Sequence, residues 1–252
     1  MHPELSFEEQ ETAAFIAAEL EATGIPYETG VGGHGVVGTI VGGAGRSDAV
    51  IALRADFDAL PIREENEHDF CSRNTGVMHA CGHDGHTASL LAAGRILASL
   101  APELRGTVKL IFQPAEERVP GGASPMIEAG VLEQPRVRHV FGQHVNPELP
   151  VGTVGFNPGL FMASADDIFI TVQGHGGHAA KPHQGVDPVV IAANLIVTLQ
   201  QIVSRNADPI MPSVLTFGRV VADGANNVIP DRVELAGTFR TLDEDWRGRA
   251  LD

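Results

Sequence analysis

Short apolar runs closed by glycine alternate with helical stretches through the first 142 residues, and this alternation narrows the possible fold more than any other feature. The runs at 36–41, 49–53, 107–113 and 137–142 have the length and bounding residues of strands. The stretch 83–100, rich in Ala and Leu, reads as a buried helix. At the start, 6–23 reads as an amphipathic helix. Ser6 with Glu9 three residues on fits a capping box, Phe7, Ala14, Ile16 and Leu20 supply apolar positions, and Gly24 is a stop signal. Strands alternating with helices predict an α/β fold, a mixed and largely parallel sheet flanked by helices.

The texture changes near Asp166. A strand at 168–172 is followed by a helix at 187–204, where Ile191, Leu195, Ile196 and Leu199 recur at helical spacing. Two more strands follow at 213–221 and 233–241, and 243–251 starts another helix. Strand, helix, strand, strand resembles the opening of a ferredoxin-like α+β layer. The domain boundary is therefore expected near residue 165, giving domains 1–165 and 166–252.

The formal net charge of −15 disfavours nucleic acid and anionic membrane as partners, since both select clustered Lys and Arg. Two cysteines, Cys71 and Cys81, are too few for a disulfide framework. Residues 1–10 show no apolar signal core, and no run of eighteen uninterrupted apolar residues occurs. The expectation is a cytoplasmic protein without membrane or nucleic-acid partners.

Five segments bear chemistry. In 78–86 (MHACGHDGH), Cys81 and His83 flank a glycine, so both side chains can reach one metal. A structural zinc knot would need a second such pair, and none exists. In 112–117 (FQPAEE), Glu116 and Glu117 leave a strand end pointing different ways, so one can bind metal while the other handles protons. Asp58, in 54–61 (RADFDALP), can orient metal-bound histidines or simply cap a turn before proline. His144 directly follows an apolar strand. The glycine-flanked 174–183, with His178, is suited to hydrogen-bonding a ligand or an oxyanion. By themselves, 226–231 and 237–240 read as turns.

In order, ALRADFDALPI, GVMHACGHDGHTA, FQPAEE, HAAKPH, NVIPD and GTFRT resemble the M20 family of metallopeptidases. The likeness extends along nearly the whole chain, and the cysteine of HACGHD points to the branch of N-acyl-amino-acid amidohydrolases. The resemblance implies metal-dependent hydrolysis of the amide bond of N-acyl amino acids or similar small amides. It implies two divalent ions, zinc or manganese before cobalt or nickel, with Cys81, His83, Glu117 and His144 as ligands. It further implies Glu116 as general base toward the attacking water and Asp58 orienting the site from behind. His178 would polarise the substrate carbonyl, and in relatives this histidine can come from a partner subunit. Asn227 and Arg240 would hold the substrate carboxylate. The second domain would be a lid that also forms a homodimer.

Phe57 stands where the family more usually has Met. Family members are also longer, with the last part of the main domain and a final histidine ligand following the lid. This chain ends at Leu251-Asp252, inside the corresponding second lid helix. Both domains are therefore expected to be incomplete, with exposed apolar surface, low stability and weak or no activity. The alternative from another class is a non-catalytic relative that binds metal or an N-acyl amino acid without turnover.

Overall fold

The computed structural model describes residues 1–45 and 47–252, in two units, Met1–Val151 and Gly152–Asp252. The first contains α1 (Gln10–Ala22), β1 (Tyr27–Val31), β2 (Gly35–Val41), β3 (Val50–Asp56), α2 (His83–Ser99), β4 (Thr107–Gln113), α3 (Ala123–Glu128) and β5 (His139–Gly142). Its five-stranded sheet has the order β1-β2-β4-β3-β5. Only the β4-β3-β5 part is parallel; β1 with β2 and β2 with β4 are antiparallel. The sheet is thus mixed, and less parallel than the strand–helix alternation predicts. The reason is local: β1 and β2 are joined by a glycine-rich turn too short for a helical crossover.

β4 lies between β2 and β3 and is buried along nearly all its length, as a continuous apolar run requires. Its one charged residue, Lys109, is buried and donates from Nζ to the carbonyls of Val131 (2.7 Å) and Gln134 (2.8 Å). α1 and α2 supply the core on one face through Ile16, Leu20, Leu90 and Leu91, packed with Val36, Leu110 and Phe112. α2 buries one stripe, His83, His86, Thr87, Leu90, Leu91 and Gly94, at helical spacing, while Ile96 stays exposed.

One local expectation is corrected here. The capping box at Ser6 does not form: α1 begins after Glu9, and its first turn is capped by Glu4, whose carboxylate accepts from Glu11 N (3.1 Å) and Thr12 N (2.7 Å). Ser6 is instead buried and donates to Asp58, fifty-two residues away. Glu9, also buried, accepts from the backbone N–H of Ala115 at 2.7 Å.

The second unit contains β6 (Asp166–Gln173), β7 (Gly177–His178), α4 (Pro188–Gln201), β8 (Ser213–Val221), β9 (Val228–Ile229), β10 (Arg232–Thr241) and α5 (Glu244–Leu251). Its main sheet is antiparallel with the order β6-β10-β8, the arrangement of the first half of a ferredoxin-like layer. Residues 152–165, which contain no helix or strand, group with this unit, so it begins at Gly152 and not at the expected 166. Ser164 belongs with the sheet because its N–H and hydroxyl both donate to Thr241 O. Asp187 caps α4, accepting from Val189 N and Val190 N, with Pro188 at its first position. α4 packs on the sheet through Ala192, Leu195 and Ile196. Val189, Val190, Ile191 and Val197 are exposed. With its π-helical continuation, Pro188–Asn206 is long and apolar enough to cross a membrane by length and composition, although Asn194, Gln200 and Gln201 interrupt it.

Candidate metal centre

The register of the three parallel strands places the chemistry. Asp56 at the end of β3 lies opposite Gln113 at the end of β4, and Arg54 lies opposite Gly142 at the end of β5. Three chain segments therefore leave the same edge of the sheet: 56–58, 113–117 and 142–145. Carboxyl ends of parallel strands are where α/β proteins build their sites.

α2 starts at that edge. Its N-cap, Gly82, has φ 83°, and a Cβ there would come within 2.5 Å of Val145 Cγ2. Glycine is needed both for the left-handed backbone and for the close approach of the 142–145 segment. The first turn of α2 then aims His83 and His86 at the β3 edge. His83 Nδ1 faces two oxygens of one residue, Asp58 O at 3.0 Å and Asp58 Oδ1 at 3.1 Å. It therefore carries the proton, and Nε2 presents a lone pair. Nε2 is buried and has no hydrogen-bond partner. His144 repeats the pattern: Nδ1 donates to Val145 O at 2.8 Å, and Nε2 faces Cys81 Sγ at 3.2 Å. Outward lone pairs on rings anchored from behind are how metal-ligating histidines are held.

Glu117 completes the group. Its N–H donates to Asp58 Oδ2 at 2.9 Å. Its Oε1 is buried without a partner, 3.7 Å from His83 Nε2. Donor atoms of Cys81, His83 and His144 lie within 4.8 Å of one another, as do those of His83, Glu116 and Glu117. Two buried, unpartnered donors facing each other beside a thiol and an imidazole fit a divalent cation, because that is the species able to satisfy all of them. The turn that presents the glutamates is strained: Ala115, fully buried, has φ 50°. Its conformation is held by its N–H to Glu9 and by its carbonyl, which accepts from Gly122 N at 2.9 Å.

The electrostatics follow this packing. Burial alone pushes the Asp58 carboxyl upward, but donors from His83, Ser6 and the backbone of Glu117 and Glu116 outweigh it and hold the group at about 2. For Asp56, burial is likewise outweighed, here by Arg54, His86 and His83, and the carboxyl lies below its ordinary value. Burial lowers His83, yet Asp58, Asp56 and Glu117 together raise it. Burial and then Glu117 raise Glu116. The Cys81 thiol is pushed up to about 12, first by burial and then by the carboxylates of Glu117, Glu116 and Asp56. A dication at this place would reverse that balance and favour the thiolate.

Of the residues singled out from sequence, Asp58, Cys81, His83, Glu116, Glu117 and His144 all gather here in the first unit. In the second unit, His178 pairs with Val228, and Ala179 N donates to Asn227 O at 3.0 Å, so His178 and Asn227 share one loop pair. His178 Nδ1 accepts from Ala180 N at 3.1 Å, which leaves Nε2–H as an exposed donor. Arg240 is not with them. It pairs with Val214 near the far end of β10, roughly 26 Å along the strand from Arg232 at ~3.3 Å per residue.

Four residues of the centre are not among the predicted site residues, although Asp56 belongs to the carboxylate pair of 54–61. Asp56 accepts from His86 Nδ1 (2.6 Å) and Arg54 (2.6 Å). His86 Nε2 accepts from Val145 N at 2.9 Å, so both its nitrogens are occupied and it braces the site without offering a ligand. Ser6 and Glu9 support Asp58 and Ala115 as described. The spacing of His83 and His86, three apart at a helix start, and the paired aspartates after a strand were legible signals for the first two. Nothing local signalled Ser6 or Glu9.

An α/β sheet with a cation-ready cluster at its carboxyl edge defines a metal-site class of architecture, and comparison with known proteins gives the family. Residues 52–229 match Peptidase family M20/M25/M40, and the chain belongs to it. It is 46% identical over 246 residues to an N-acyl-L-amino acid amidohydrolase of Geobacillus stearothermophilus, covering 98% of this chain and 65% of that protein. It is 45% identical over 249 residues to the N-acetyl-L-cysteine deacetylase of Bacillus subtilis, covering 98% of this chain and 58% of the relative. The structure aligns at TM-score 0.78 and 41% identity with the YXEP protein of Bacillus subtilis, described as a dinuclear metal binding peptidase from the M20 family, over 98% of this chain and 63% of that one. The chain thus spans about three fifths of the length of these relatives.

Proposed function

We propose that this chain carries the metal-binding and proton-transfer groups of a hydrolase that cleaves the amide bond of N-acyl amino acids or similar small linear amides. The observation that carries the reading is the pair of buried, unpartnered atoms His83 Nε2 and Glu117 Oε1, facing each other beside Cys81, His144 and Glu116. The names of the relatives point to the same substrate class.

Cys81, His83, Glu117 and His144 would hold two divalent ions, zinc or manganese by preference, with cobalt and nickel also suited to a thiolate–imidazole–carboxylate set. Bound there, the ions would polarise the scissile carbonyl and make the attacking water more acidic. Asp58 fixes the His83 tautomer and ring so that Nε2 stays available. Glu116 is a further carboxylate at the centre, and its raised affinity for a proton suits it to take one from water and return it to the leaving nitrogen. In the second unit, the exposed His178 Nε2–H is a donor of the kind that stabilises a developing oxyanion. Asn227 beside it, and Arg240, are the groups available for a substrate carboxylate. Because Arg240 lies at the other end of β10, it would act at a different contact from the His178–Asn227 pair of the same copy. A homodimer through this unit is supported by the exposed apolar positions of α4 and by β8 at the sheet edge.

The test is metal content by plasma mass spectrometry after zinc or manganese loading, together with amino acid release from N-acetyl amino acids. The expected result is about two ions per chain and metal-dependent release. Glu116→Gln should keep the metal and lose about 10²- to 10⁴-fold in turnover. Ions bound without any release would favour the non-catalytic binder, and no bound ion would overturn both readings.

A further inference from the structure

Leu60 and Met78 form a bridge with paired backbone hydrogen bonds of 3.0 Å. The bridge closes off an excursion, 61–77, from the segments that carry Asp58 and Cys81. Within it, three side chains that the centre above does not use converge. Cys71 Sγ is 3.2 Å from His68 Nδ1, and His68 Nε2 is 3.7 Å from Glu64 Oε1. One donor atom from each of the three lies within 4.8 Å of the other two. The carbonyl of Asn66 is 3.1 Å from the same sulfur.

We propose that Glu64, His68 and Cys71, with the Asn66 carbonyl, form a second and separate site for a zinc-class divalent cation, which staples this excursion.

Each donor is held before any ion arrives. The His68 ring stacks on Phe70 with centroids 3.9 Å apart and planes at 18°, which fixes the direction of Nδ1 toward the sulfur. The Glu64 side chain is only 11% exposed. Its Oε1 accepts from Asn66 Nδ2 at 3.0 Å and its Oε2 from Ser72 N at 2.6 Å. Those two hydrogen bonds, Asn66 first, hold its carboxyl below the ordinary range and keep it ionised. The spacing His-x-x-Cys, one residue wider than Cys81-Gly82-His83 and without its glycine, falls among the short separations at which zinc ligands occur, and thiolate with imidazole selects zinc-like ions over magnesium or calcium.

The same atoms could instead be read as a thiol activated by an imidazole and a carboxylate. Charge decides against that. The excursion carries Glu64, Glu65, Glu67 and Asp69 against Arg63 and Arg73, and a carbonyl oxygen touches the sulfur. The four carboxylates and the carbonyl favour a dication beside the sulfur, which also accepts from the backbone N–H of His68 at 3.2 Å. On binding, the thiol proton leaves to solvent and sulfur becomes a thiolate ligand.

The chain has only two cysteines, so peptide mapping resolves the two sites without reference to turnover. The 252-residue chain is alkylated with iodoacetamide with and without zinc, and Cys71 and Cys81 are quantified separately by mass spectrometry. Zinc should slow alkylation of Cys71 at least tenfold. His68→Ala should abolish that protection while protection of Cys81 persists. Equal Cys71 rates with and without zinc, or full protection in His68→Ala, would overturn the site. A second measurement uses cobalt in Cys81→Ser, where Cys71 is the sole thiol. A thiolate-to-cobalt absorption band should remain there and vanish in the Cys71→Ser, Cys81→Ser double variant. Absence of the band from Cys81→Ser refutes the proposal.

Discussion

Asp58→Asn tests the logic of the centre most directly. Asp58 accepts from three directions: Ser6 Oγ at 2.7 Å and Glu117 N at 2.9 Å on Oδ2, and His83 Nδ1 at 3.1 Å on Oδ1. An asparagine oxygen can take the two donors on one side, but its amide NH₂ then faces the Nδ1–H of His83, donor against donor. Holding the carboxyl at about 2 rather than the ordinary 3.8, at ~1.4 kcal/mol per tenfold change in the ionisation constant, stabilises the fold by about 2 kcal/mol. The folded value is the lower one, so this stabilisation is complete above about pH 4 and is lost as pH falls from there toward about 2. Urea unfolding of the metal-free protein, followed by far-UV circular dichroism, should show the variant about 2 kcal/mol less stable at neutral pH. The gap should narrow on acidification. Trp246, the single tryptophan, gives a separate signal from the second unit. Zinc affinity should also fall about 10- to 100-fold, because His83 loses the partner that sets its tautomer. Unchanged stability at neutral pH, or a gap that stays constant on acidification, would refute the reasoning.

Three other perturbations probe the supports. Glu9 is fully buried, with Oε2 unpartnered, and burial raises its carboxyl above the ordinary value. Its charge therefore opposes folding at neutral pH and does so less as pH falls toward 4.5. Glu9→Gln should leave thermal stability at neutral pH equal or slightly higher, whereas Glu9→Ala, which strands the Ala115 N–H, should cost about 1–3 kcal/mol. Ala115→Gly should be neutral or stabilising by up to about 1 kcal/mol in a melting experiment, and Ala115→Val destabilising by more than that, because φ is 50° there. His86→Ala removes the partner of both Asp56 and Val145 N and should cost about 1–3 kcal/mol in denaturant unfolding. It should also weaken zinc binding measured by competition, although His86 offers no ligand atom.

Much was written locally. The strands 107–113 and 213–221 have the bounds that composition and glycine punctuation predict, and α2 starts at His83, where the glycine before it permits the turn. The residues able to donate to a metal were visible because their chemistry is rare and their spacing short: Cys81 and His83 around one glycine, Glu116 and Glu117 after a strand. What local pattern could not supply was any pairing between distant segments. Ser6 looks like a helix cap because Glu9 is three residues away, yet the hydroxyl bonds Asp58 and the carboxylate bonds Ala115. The competing long-range acceptors exist only once β3 and β4 lie side by side. The same holds for strand direction: an apolar run fits either orientation, and the length of the connection decides. It holds for His86 as well, whose sequence resembles a ligand's but whose two nitrogens are taken by Asp56 and Val145. Sequence by itself determined the longer elements, though not β1 (Tyr27–Val31) or α3 (Ala123–Glu128), and the inventory of reactive groups, through periodicity, turn chemistry and the identity of the side chains. Tertiary structure decided which nitrogen of each histidine is free, because a tautomer is set by the oxygen that folding brings behind the ring.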